Sequence, residues 1–321
     1  PYDAQMLYDF RLENALSARG EDAPTAEDGE ALRRLRQVVR SLPETLGAPV
    51  PYAVILKADG DRMGALLQQA KRAEDSRAIS QALHDFASSV RELVRKHHGH
   101  AIYSGGDDVL ALLPLSDAFA CARTLAQAFE KALEPVAESL GLDACEHPTL
   151  SVGLAIGHLM EPLGALRKRA GHAEHLAKGD AEKTPRNALA IVLGIRSGGE
   201  LEWRANWSDA TALAEFEDFT AAYRDGRLSS RVAYDLRAID RRLAWMRDDD
   251  SPQSRGMREA EVARMLDRAR TEGGDTGLAA PQRERILTAT RRQPLAELAD
   301  TLILARWLSA RTVADLGVRG Q

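Results

Sequence analysis

The sequence predicts an α+β protein, in which a ferredoxin-like βαββαβ layer is followed by an all-α region. Apolar runs of strand character alternate with long amphipathic helical patterns from about residue 50 to residue 195. Two of these runs flank the sequence Ser-Gly-Gly-Asp-Asp at Ser104–Asp108, which is typical of a hairpin. From Asn206 onwards the patterns are helical only. These three observations define the predicted fold class.

Composition limits the function classes without choosing one. The 321 residues are 44% apolar and 28% charged, with a net charge of −5, so the overall charge does not indicate nucleic-acid or membrane binding. Cys121 and Cys145 are far apart, which favours a reducing compartment and argues against a structural zinc site. No apolar run has membrane-spanning length and no signal peptide opens the chain. We therefore expect a cytoplasmic protein with no membrane partner.

The breaks in these patterns predict three domains. Residues 1–47 carry helical patterns at Met6–Ala18 and Glu30–Leu42, and we expect them to lead in from a preceding domain. Closely spaced prolines then interrupt the chain. The α+β domain is predicted at residues 48–205 and a separate helical domain at residues 206–321.

Each element of the α+β domain follows from its residue pattern. A buried strand is predicted at Tyr52–Asp59, and an amphipathic helical segment then runs to Lys96. After the hairpin, Ser116 or Asp117 caps a helix that continues to about Leu140. The segments therefore alternate in the order that a βαββαβ layer requires.

The fourth strand, Thr149–Gly157, is predicted at a sheet edge near the hairpin. Gly153 and Gly157 permit the close approach of another group, and the sequence favours neither a nucleoside nor a packed neighbour in that place. A third helix at Pro162–Lys178 and a strand at Ala188–Ile195 follow.

A second glycine pair, in Ser197–Glu200, is interpreted as the turn of a further hairpin that ends at Trp203. The helical domain is predicted to contain helices at Ala210–Tyr223, Ser229–Arg247, Met257–Thr271 and Pro281–Leu308. Its arginines are mixed with acids, which is typical of a solvated face, and a docking surface for protein or RNA is the alternative. These arginines are Arg241, Arg242, Arg264, Arg268, Arg291 and Arg292.

The hairpin tip carries two adjacent acids that the turn does not explain. Gly105 and Gly106 suit a tight turn, because glycine tolerates the positive φ that such turns need. Asp107 and Asp108 are like charges side by side in an apolar hairpin, and they repel unless a cation lies between them. We therefore interpret the turn as half of a metal site.

The other half is expected at the end of the first strand. In a βαββαβ layer the first and third strands are antiparallel neighbours, which brings Asp59 to face Asp107. Oxygen ligands without nearby His or Cys suit Mg²⁺ or Mn²⁺, and the carbonyl of Gly60 is a further candidate ligand. Lys178 ends a helix, where the dipole favours a cation in any case, and phosphate binding is the functional alternative.

Four stretches, in this order and spacing, resemble the large subunit of type III CRISPR effector complexes of the Cmr type (III-B). The resemblance covers about residues 50 to 205 and, weakly, the helical tail. The stretches are Ala58–Gly64 (Ala-Asp-Gly-Asp-Arg-Met-Gly), Ile102–Ala111 (Ile-Tyr-Ser-Gly-Gly-Asp-Asp-Val-Leu-Ala), Leu150–His158, and Ala173–Lys178 with Arg186 and Asn187 before the last strand.

The resemblance implies a palm domain of the polymerase and nucleotide-cyclase kind, which joins ATP molecules 3′ to 5′ into cyclic oligoadenylate when target RNA is bound. It implies that Asp59, Asp107 and Asp108 are catalytic and, with Gly60, hold two divalent ions, Mg²⁺ or Mn²⁺. Lys178 would hold the terminal phosphates. The other residues expected to contact ATP are Gly60, Asp61, Ser104, Gly105 and Gly106. The implied partners are the other subunits of a Cmr-type complex, its crRNA and the target RNA.

Members of this family usually carry an HD nuclease domain and a first, degenerate palm, and neither is visible in this sequence. We therefore expect a fragment that does not cleave DNA and whose ATP site takes its second wall from another polypeptide. Two alternatives stay open. One is a structural palm subunit that organises the ribonucleoprotein without catalysis. The other is a GGDEF-like signalling cyclase that uses GTP, although Asp108 and Val109 depart from the Glu-Phe pair that follows the glycines and an acid in those enzymes.

Overall fold

The computed structural model describes residues 8–45, 47–180, 184–194, 199–247, 249–272 and 276–316. One compact unit is Tyr52–Ser309, and the other comprises the described residues of Pro1–Pro51 and Ala310–Gln321. The division into domains at residues 47 and 205 stays a prediction. The unit Tyr52–Ser309 contains both the sheet and the helices that follow it.

The described part of the smaller unit includes the α-helices α1 (Asp9–Ser17) and α2 (Ala26–Thr45). Asp9 joins them, because its carboxylate accepts hydrogen bonds from Arg36 at 2.7 Å and from Arg40 at 3.1 Å. A β-bridge between Pro49 and Thr312 connects the two ends of this unit. The first two residues of the helix predicted at Met6–Ala18 lie outside the described residues.

The larger unit is built on one six-stranded sheet with the order β2-β3-β1-β4-β5-β6. The strands are β1 (Tyr52–Asp61), β2 (His100–Gly105), β3 (Asp108–Leu113), β4 (Thr149–His158), β5 (Ala188–Gly194) and β6 (Glu200–Asn206). Only β4 and β5 pair in parallel among these strands. The first four strands have the ferredoxin-like order, with β1 between β3 and β4, so the predicted α+β layer is confirmed.

Strand β4 lies inside the sheet, which corrects its predicted position at an edge. All ten of its residues are buried, and β5 pairs with its far side through the crossover that contains the third predicted helix. Whether a strand lies at an edge depends on which strands pair with it, and the residue pattern of β4 alone does not report that pairing. The sheet edges are β2 and β6.

Helices α4 (Ala73–Lys96), α5 (Leu115–Ser139) and α6 (Leu163–Lys178) pack on this sheet, and a short helix, α3 (Met63–Gln69), lies between β1 and α4 in the chain. Helices α4 and α5 pack on each other through Phe86 and Phe129, whose ring centroids are 5.0 Å apart. Helix α6 covers the other face, where Ile55 and Ala155 of the sheet meet Leu166 of the helix. The site described below lies at the far end of this α6 face.

The amphipathic segment predicted to run unbroken to Lys96 is two helices. Helix α3 ends at Gln69 and α4 begins at Ala73. The carboxylate of Asp75 accepts hydrogen bonds from the backbone N–H groups of Lys71 and Arg72, at 3.2 and 3.0 Å, and so satisfies donors at the new helix start. This local cap competes with continuation of the helix.

Five helices complete the larger unit: α7 (Ala210–Arg224), α8 (Arg231–Arg242), α9 (Pro252–Arg268), α10 (Ala280–Arg292) and α11 (Leu295–Ser309). The helix predicted at Pro281–Leu308 is α10 and α11, because Pro294 has no backbone N–H and forces Gln293 into extended geometry. The helix predicted at Ser229–Arg247 ends at Arg242.

Helix α11 is buried along most of its length and packs against α5, α7, α8 and β6. Trp203 of β6 and Phe119 of α5 both contact Phe216 of α7, with ring centroids 4.5 and 5.2 Å apart. Helices α7 and α11 therefore share an apolar core with the sheet.

Two further expectations concern the second hairpin and the membrane. Strands β5 and β6 pair antiparallel, as a hairpin would require, but most of the turn predicted at Ser197–Glu200 lies outside the described residues. Among the helices that the structure describes, none is both long and apolar enough to cross a membrane.

Candidate metal and nucleotide site

The end of β1 meets the hairpin tip at the α6 face of the sheet. Ala58 pairs with Val109 in the antiparallel register of β1 and β3, so the next residue outward, Asp59, stands across from Asp108. Side chains alternate between the faces of a strand, and Lys57, Asp59 and Asp61 therefore share one face. The pairing register of β1 and β3 therefore brings the end of β1 beside the hairpin, as the sequence predicts.

The two glycines of the hairpin have different tasks. Gly105 pairs with Asp108, which leaves Gly106 and Asp107 as the two-residue turn. Only Gly106 of the pair has positive φ, at 72°, as the first turn residue of a type II′ hairpin requires. Gly105 does not adopt the positive φ that glycine tolerates. A side chain at Gly105 would overlap the phenol of Tyr103, so its small size makes room for that ring.

Asp107 lies against the backbone of β1. A Cβ atom added to Gly60 would be 2.7 Å from Cβ of Asp107 and 3.0 Å from its Oδ2 atom. Because atoms do not approach so closely without a shift, only glycine at position 60 lets this carboxylate lie beside the strand. The arrangement brings Asp59, Gly60, Asp107 and Asp108 to one region.

The electrostatics of this region favour a cation. The pKa of Asp107 is raised, first by burial and then by the charge of Asp59, with Lys178 opposing the shift. The pKa of Asp108 is also raised, first by burial, then by the charge and hydrogen bonding of Asp59, and by Asp107. The charge of Asp59 thus makes ionisation of both hairpin acids harder, in addition to burial, and a divalent cation would reverse this effect.

The aspartates converge without forming a closed set of ligands. Three ligand atoms that all lie within 4.8 Å of one another are found, in the part of the chain that the structure describes, at His172, Glu200 and Glu202. These exposed groups already have partners, since His172 binds Glu202 at 2.7 Å and Arg169 binds Glu200 at 3.1 Å. No corresponding trio forms at the hairpin among the described residues.

Lys178 occupies the place that the sequence suggested for a phosphate ligand. Its ammonium nitrogen is 2.7 Å from Oδ1 of Asp59 and 2.9 Å from Oε1 of Glu174. Burial lowers the pKa of Lys178, but hydrogen bonds with Asp59 and Glu174 outweigh it, so the pKa lies above its usual value. One of the three aspartates is therefore already paired with a cation, whereas Asp107 and Asp108 form no ion pair with a described residue.

Two residues near the site, Lys57 and Glu174, were not predicted from the sequence. Lys57 donates to Oε2 of Glu174 at 2.7 Å, so that Glu174 binds two lysines at once. The signals were present: Lys57 stands two residues before Asp59 on the same strand face, and Glu174 stands four residues before Lys178 on a helix. Each signal is common in proteins, and only the approach of α6 to β1 combines them.

Asp61 stands apart from the other acids. It is fully buried and accepts hydrogen bonds at Oδ2 from the hydroxyls of Thr149 at 3.0 Å and Ser151 at 2.7 Å, and from the backbone N–H of Asn187 at 3.1 Å. Burial raises its pKa against these hydrogen bonds and the charge of Arg186. A carboxylate without exposed surface does not reach a ligand, so its placement does not support the expected contact of Asp61 with ATP.

The remaining residues expected at the nucleotide have simpler placements. Ser104 donates from Oγ to the backbone carbonyl of Ala87 in α4 at 3.0 Å, and so turns towards that helix. Gly153 and Gly157 explain a packing contact, because side chains there would overlap the backbone of α6 and the side chain of Leu166. The nucleoside alternative for these two glycines is therefore not needed.

The four-stranded core has the ferredoxin-like strand order of a palm domain, and the acidic ends of β1 and the hairpin meet at one end of it. Residues 52–190 match the family model described as Cas10/Cmr2, second palm domain. Residues 52–190 thus match the second palm domain of the Cas10/Cmr2 family, and the resemblance found from the motifs is confirmed.

The similarity extends to one curated protein and to solved complexes. The CRISPR system Cmr subunit Cmr2 of Pyrococcus furiosus is 31% identical over 225 residues, which are 61% of this chain and 24% of that protein. A chain of the type III-B Cmr-beta complex in its apo state aligns with a TM-score of 0.50 at 14% identity, covering 78% of this chain and 37% of that chain. For the same complex bound to cognate target RNA the TM-score is 0.51 at 14% identity, with coverage of 87% and 42%.

At 14% identity these solved structures show a shared fold alone. The chain spans about a quarter of the length of the curated relative.

Proposed function

We propose that this palm domain converts ATP into cyclic oligoadenylate by 3′–5′ nucleotidyl transfer, as part of a type III-B effector complex that has bound target RNA. The observation that carries the proposal is the meeting of Asp59 with Asp107 and Asp108 at neighbouring strand ends, where the charge of Asp59 adds to burial in raising the pKa of both hairpin acids. Such an acidic pair of strand ends is the arrangement that divalent ions need in order to bind a triphosphate.

The residues fit two divalent ions. Asp59, Asp107, Asp108 and the carbonyl of Gly60 would hold Mg²⁺ or Mn²⁺, since all are hard oxygen donors. Burial, and after it the charge of Asp59, raises the pKa of both hairpin acids, and a bound cation would offset this effect. When bound, the ions supply activation of a 3′-hydroxyl and neutralisation of the pyrophosphate leaving group. The chain's own contribution is to hold these carboxylates close together on a rigid sheet.

Lys178 completes the proposed site on the phosphate side. Its ammonium lies beside Asp59, and it is the cation of α6 that is nearest to the acids in the described structure. There it would bind the terminal phosphates of ATP. Gly106 leaves the outer side of the turn open to a nucleotide, because even a Cβ atom added there would have no neighbour within 4 Å.

The partners follow from the family. The Cmr-beta relative was solved with cognate target RNA, and we infer that this chain likewise acts beside other Cmr-type subunits, a crRNA and a target RNA in the cytoplasm. The second wall of the ATP site is then expected from another polypeptide. No membrane is involved in this proposal.

The test is product formation by the assembled complex. The full chain, combined with its partner subunits, crRNA and target RNA, is incubated with ATP and Mn²⁺, and products are separated by chromatography. The variant with Asp107→Ala and Asp108→Ala is expected to assemble normally and to make no cyclic oligoadenylate. Asp85→Ala is the matched control, because Asp85 is an exposed acid of α4 whose partner is Gln81. Wild-type rates from the double variant would rule out this site.

One observation favours a structural role instead. Lys178 already neutralises Asp59, so a cation of the chain itself stands where a metal ion would compensate this carboxylate. If the role is structural, the wild type and every variant would assemble with RNA and yield no product from ATP under any RNA condition.

Competition distinguishes the proposed function from that of a GTP-specific cyclase. Unlabelled ATP, and not GTP, should suppress product formation from labelled ATP.

A further inference from the structure

A chain of four alternating charges runs from β1 to α6 and back to β1. Lys57 binds Oε2 of Glu174 at 2.7 Å, and Oε1 of the same carboxylate binds Lys178 at 2.9 Å. Lys178 in turn binds Asp59 at 2.7 Å. Both ends of the chain belong to β1, so the two α6 residues are held against the strand that carries the proposed metal ligand.

The place of Glu174 is fixed by backbone packing. Its side chain is only 10% exposed. A side chain at Gly153 of β4 would overlap the backbone of Ala173 and Glu174, so α6 approaches the sheet as closely as glycine permits. Burial acts to raise the pKa of Glu174, but hydrogen bonds from Lys57 and Lys178 outweigh it and hold the pKa below its usual range. Glu174 is thus an ionised group at a rigid position.

We propose that Glu174 is a positioning residue that holds Lys178 for the terminal phosphates of a nucleoside triphosphate, with Lys57 holding Glu174. The inference rests on the proposed function and assigns roles to two residues outside its ligand set. Lysine has a flexible four-carbon stem, and a single partner leaves its ammonium poorly defined in position. Two partners, Glu174 and Asp59, define that position.

The donor count agrees with this role. An ammonium group has three N–H donors, and the two ion pairs of Lys178 use two of them. The third is available to an oxyanion. Glu174 also shares the lysine with Asp59, and so limits how completely Lys178 neutralises a carboxylate that is proposed to bind a divalent ion. Without the charge of Glu174, Lys178 would pair with Asp59 alone.

The first measurement is nucleotide binding to the assembled complex, with ATP and AMP compared in the presence of Mn²⁺. Lys178→Met is expected to weaken ATP binding roughly tenfold, the effect of one charge-assisted hydrogen bond, and to leave AMP binding unchanged. Glu174→Gln keeps the shape and removes the charge, and should weaken ATP binding about three- to tenfold without changing AMP binding. The double variant should bind ATP no more weakly than Lys178→Met alone, because Glu174 acts through Lys178.

The second measurement is Mn²⁺ binding to the full chain, followed by electron paramagnetic resonance of the free ion. Glu174→Gln should weaken Mn²⁺ binding severalfold, since Lys178 then pairs with Asp59 alone, whereas Lys178→Met should strengthen it. These opposite directions are not expected of residues that only stabilise the fold. Glu92→Gln is the matched control, because Glu92 is an ion-paired glutamate of α4, bound to Arg95 and remote from the site.

The outcomes separate this inference from the proposed function. If the wild type binds Mn²⁺ and ATP but Glu174→Gln keeps the full preference for ATP over AMP, with only a lower melting temperature, the positioning role is refuted and the proposed function stands. Additive losses in the double variant refute it equally. If the wild-type complex binds neither Mn²⁺ nor ATP, the proposed function is refuted, and the role of Glu174 with it.

Discussion

Asp59 and Asp61 are the same residue type, two positions apart on one strand and on one face of the sheet, yet their surroundings differ completely. The side chain of Asp59 is 28% exposed and pairs with Lys178, across from the acid at position 108. The side chain of Asp61 is 0% exposed and is bound by two hydroxyls and a backbone N–H. Neighbouring elements, and not the strand itself, decide what each carboxylate does.

The difference follows from where β3 and β4 extend. Next to Asp59, β3 contributes Asp108, so a second acid stands beside a carboxylate that is partly exposed and paired with Lys178. Next to Asp61, β4 contributes Thr149, whose hydroxyl is a donor, and the chain before β5 adds the N–H of Asn187. A buried carboxylate oxygen that accepts three hydrogen bonds stabilises structure, whereas a partly exposed carboxylate beside a second acid can bind a further cation.

The largest expected effect is the loss of metal binding when Asp59, the exposed one of the two β1 aspartates, is changed. Asp59→Asn removes a proposed ligand and should weaken Mn²⁺ binding by on the order of 100-fold. Loss of a residue that only hydrogen-bonds to a metal ligand costs about 10- to 100-fold, and loss of a ligand itself should reach at least the upper end of that range. The free energy of unfolding should change little, because the lost partner is a single, partly exposed lysine. Mn²⁺ titration and urea unfolding of the same samples measure both quantities. Unchanged Mn²⁺ affinity would contradict the assignment of Asp59.

The buried member should behave in the opposite way. Asp61→Ala leaves the hydroxyls of Thr149 and Ser151 and the N–H of Asn187 without their acceptor, and we expect a loss of about 2–3 kcal/mol in the free energy of unfolding. Mn²⁺ affinity, measured well below the melting temperature, should stay within about twofold, since a group without surface is not a ligand. Asp61→Asn retains a carbonyl acceptor and should lose less stability. A large loss of Mn²⁺ affinity in folded Asp61→Asn would break the contrast.

Much of this contrast was absent from the sequence for a physical reason. The strand patterns and the Gly-Gly-Asp-Asp turn were sufficient for the ferredoxin-like layer, because period-two alternation and turn chemistry are local properties. They also sufficed to bring Asp59 to the hairpin, since the order of strands in that layer fixes which ends meet. The burial of Asp61 depends on the hydroxyls of β4 and on a backbone N–H 126 residues away, which no local pattern reports.

The same limit explains the other differences. Gly105 and Gly106 are identical in the sequence, but only one bends the chain, while the other makes room for Tyr103. Glu174 had the ordinary spacing of a helical ion pair with Lys178, and its second partner, Lys57, comes from a strand that is distant in the sequence. Pairing across the sheet is a tertiary property, and residues whose role depends on it are found only once the elements are assembled.

A smaller effect on stability and Mn²⁺ binding is expected from a substitution at Gly60, the residue between Asp59 and Asp61. A methyl group at this position would lie 2.7 Å from Cβ of Asp107 and 3.0 Å from Cγ of Met63, so Gly60→Ala must push the hairpin tip away from β1. We expect a loss of about 1–2 kcal/mol in the free energy of unfolding, as for other overpacked positions, together with weaker Mn²⁺ binding. Gly64→Ala is the matched control, because a Cβ there has no neighbour within 4 Å. Equal behaviour of the two variants would show that the contact of Asp107 with β1 is unimportant.

The smallest expected effect is a pH dependence that the hairpin acids impose on stability. The pKa values of Asp107 and Asp108 are raised in the folded chain, first by burial and next by the charge of Asp59. Between the unfolded value, 3.8, and the raised folded value, the native state binds more protons than the unfolded state, so stability falls as pH rises through this window.

The double variant with Asp107→Asn and Asp108→Asn removes this loss of stability. The variant should match the wild type below the unfolded pKa and exceed it at neutral pH, by less than about 1 kcal/mol because both groups are partly exposed. Urea unfolding across the range from acidic to neutral pH gives the difference, and added salt should reduce only the part that comes from Asp59, since screening acts on charges and not on burial. A difference that grows towards low pH would mean that the hairpin acids are stabilised as anions, and the case for a cation between them would fail.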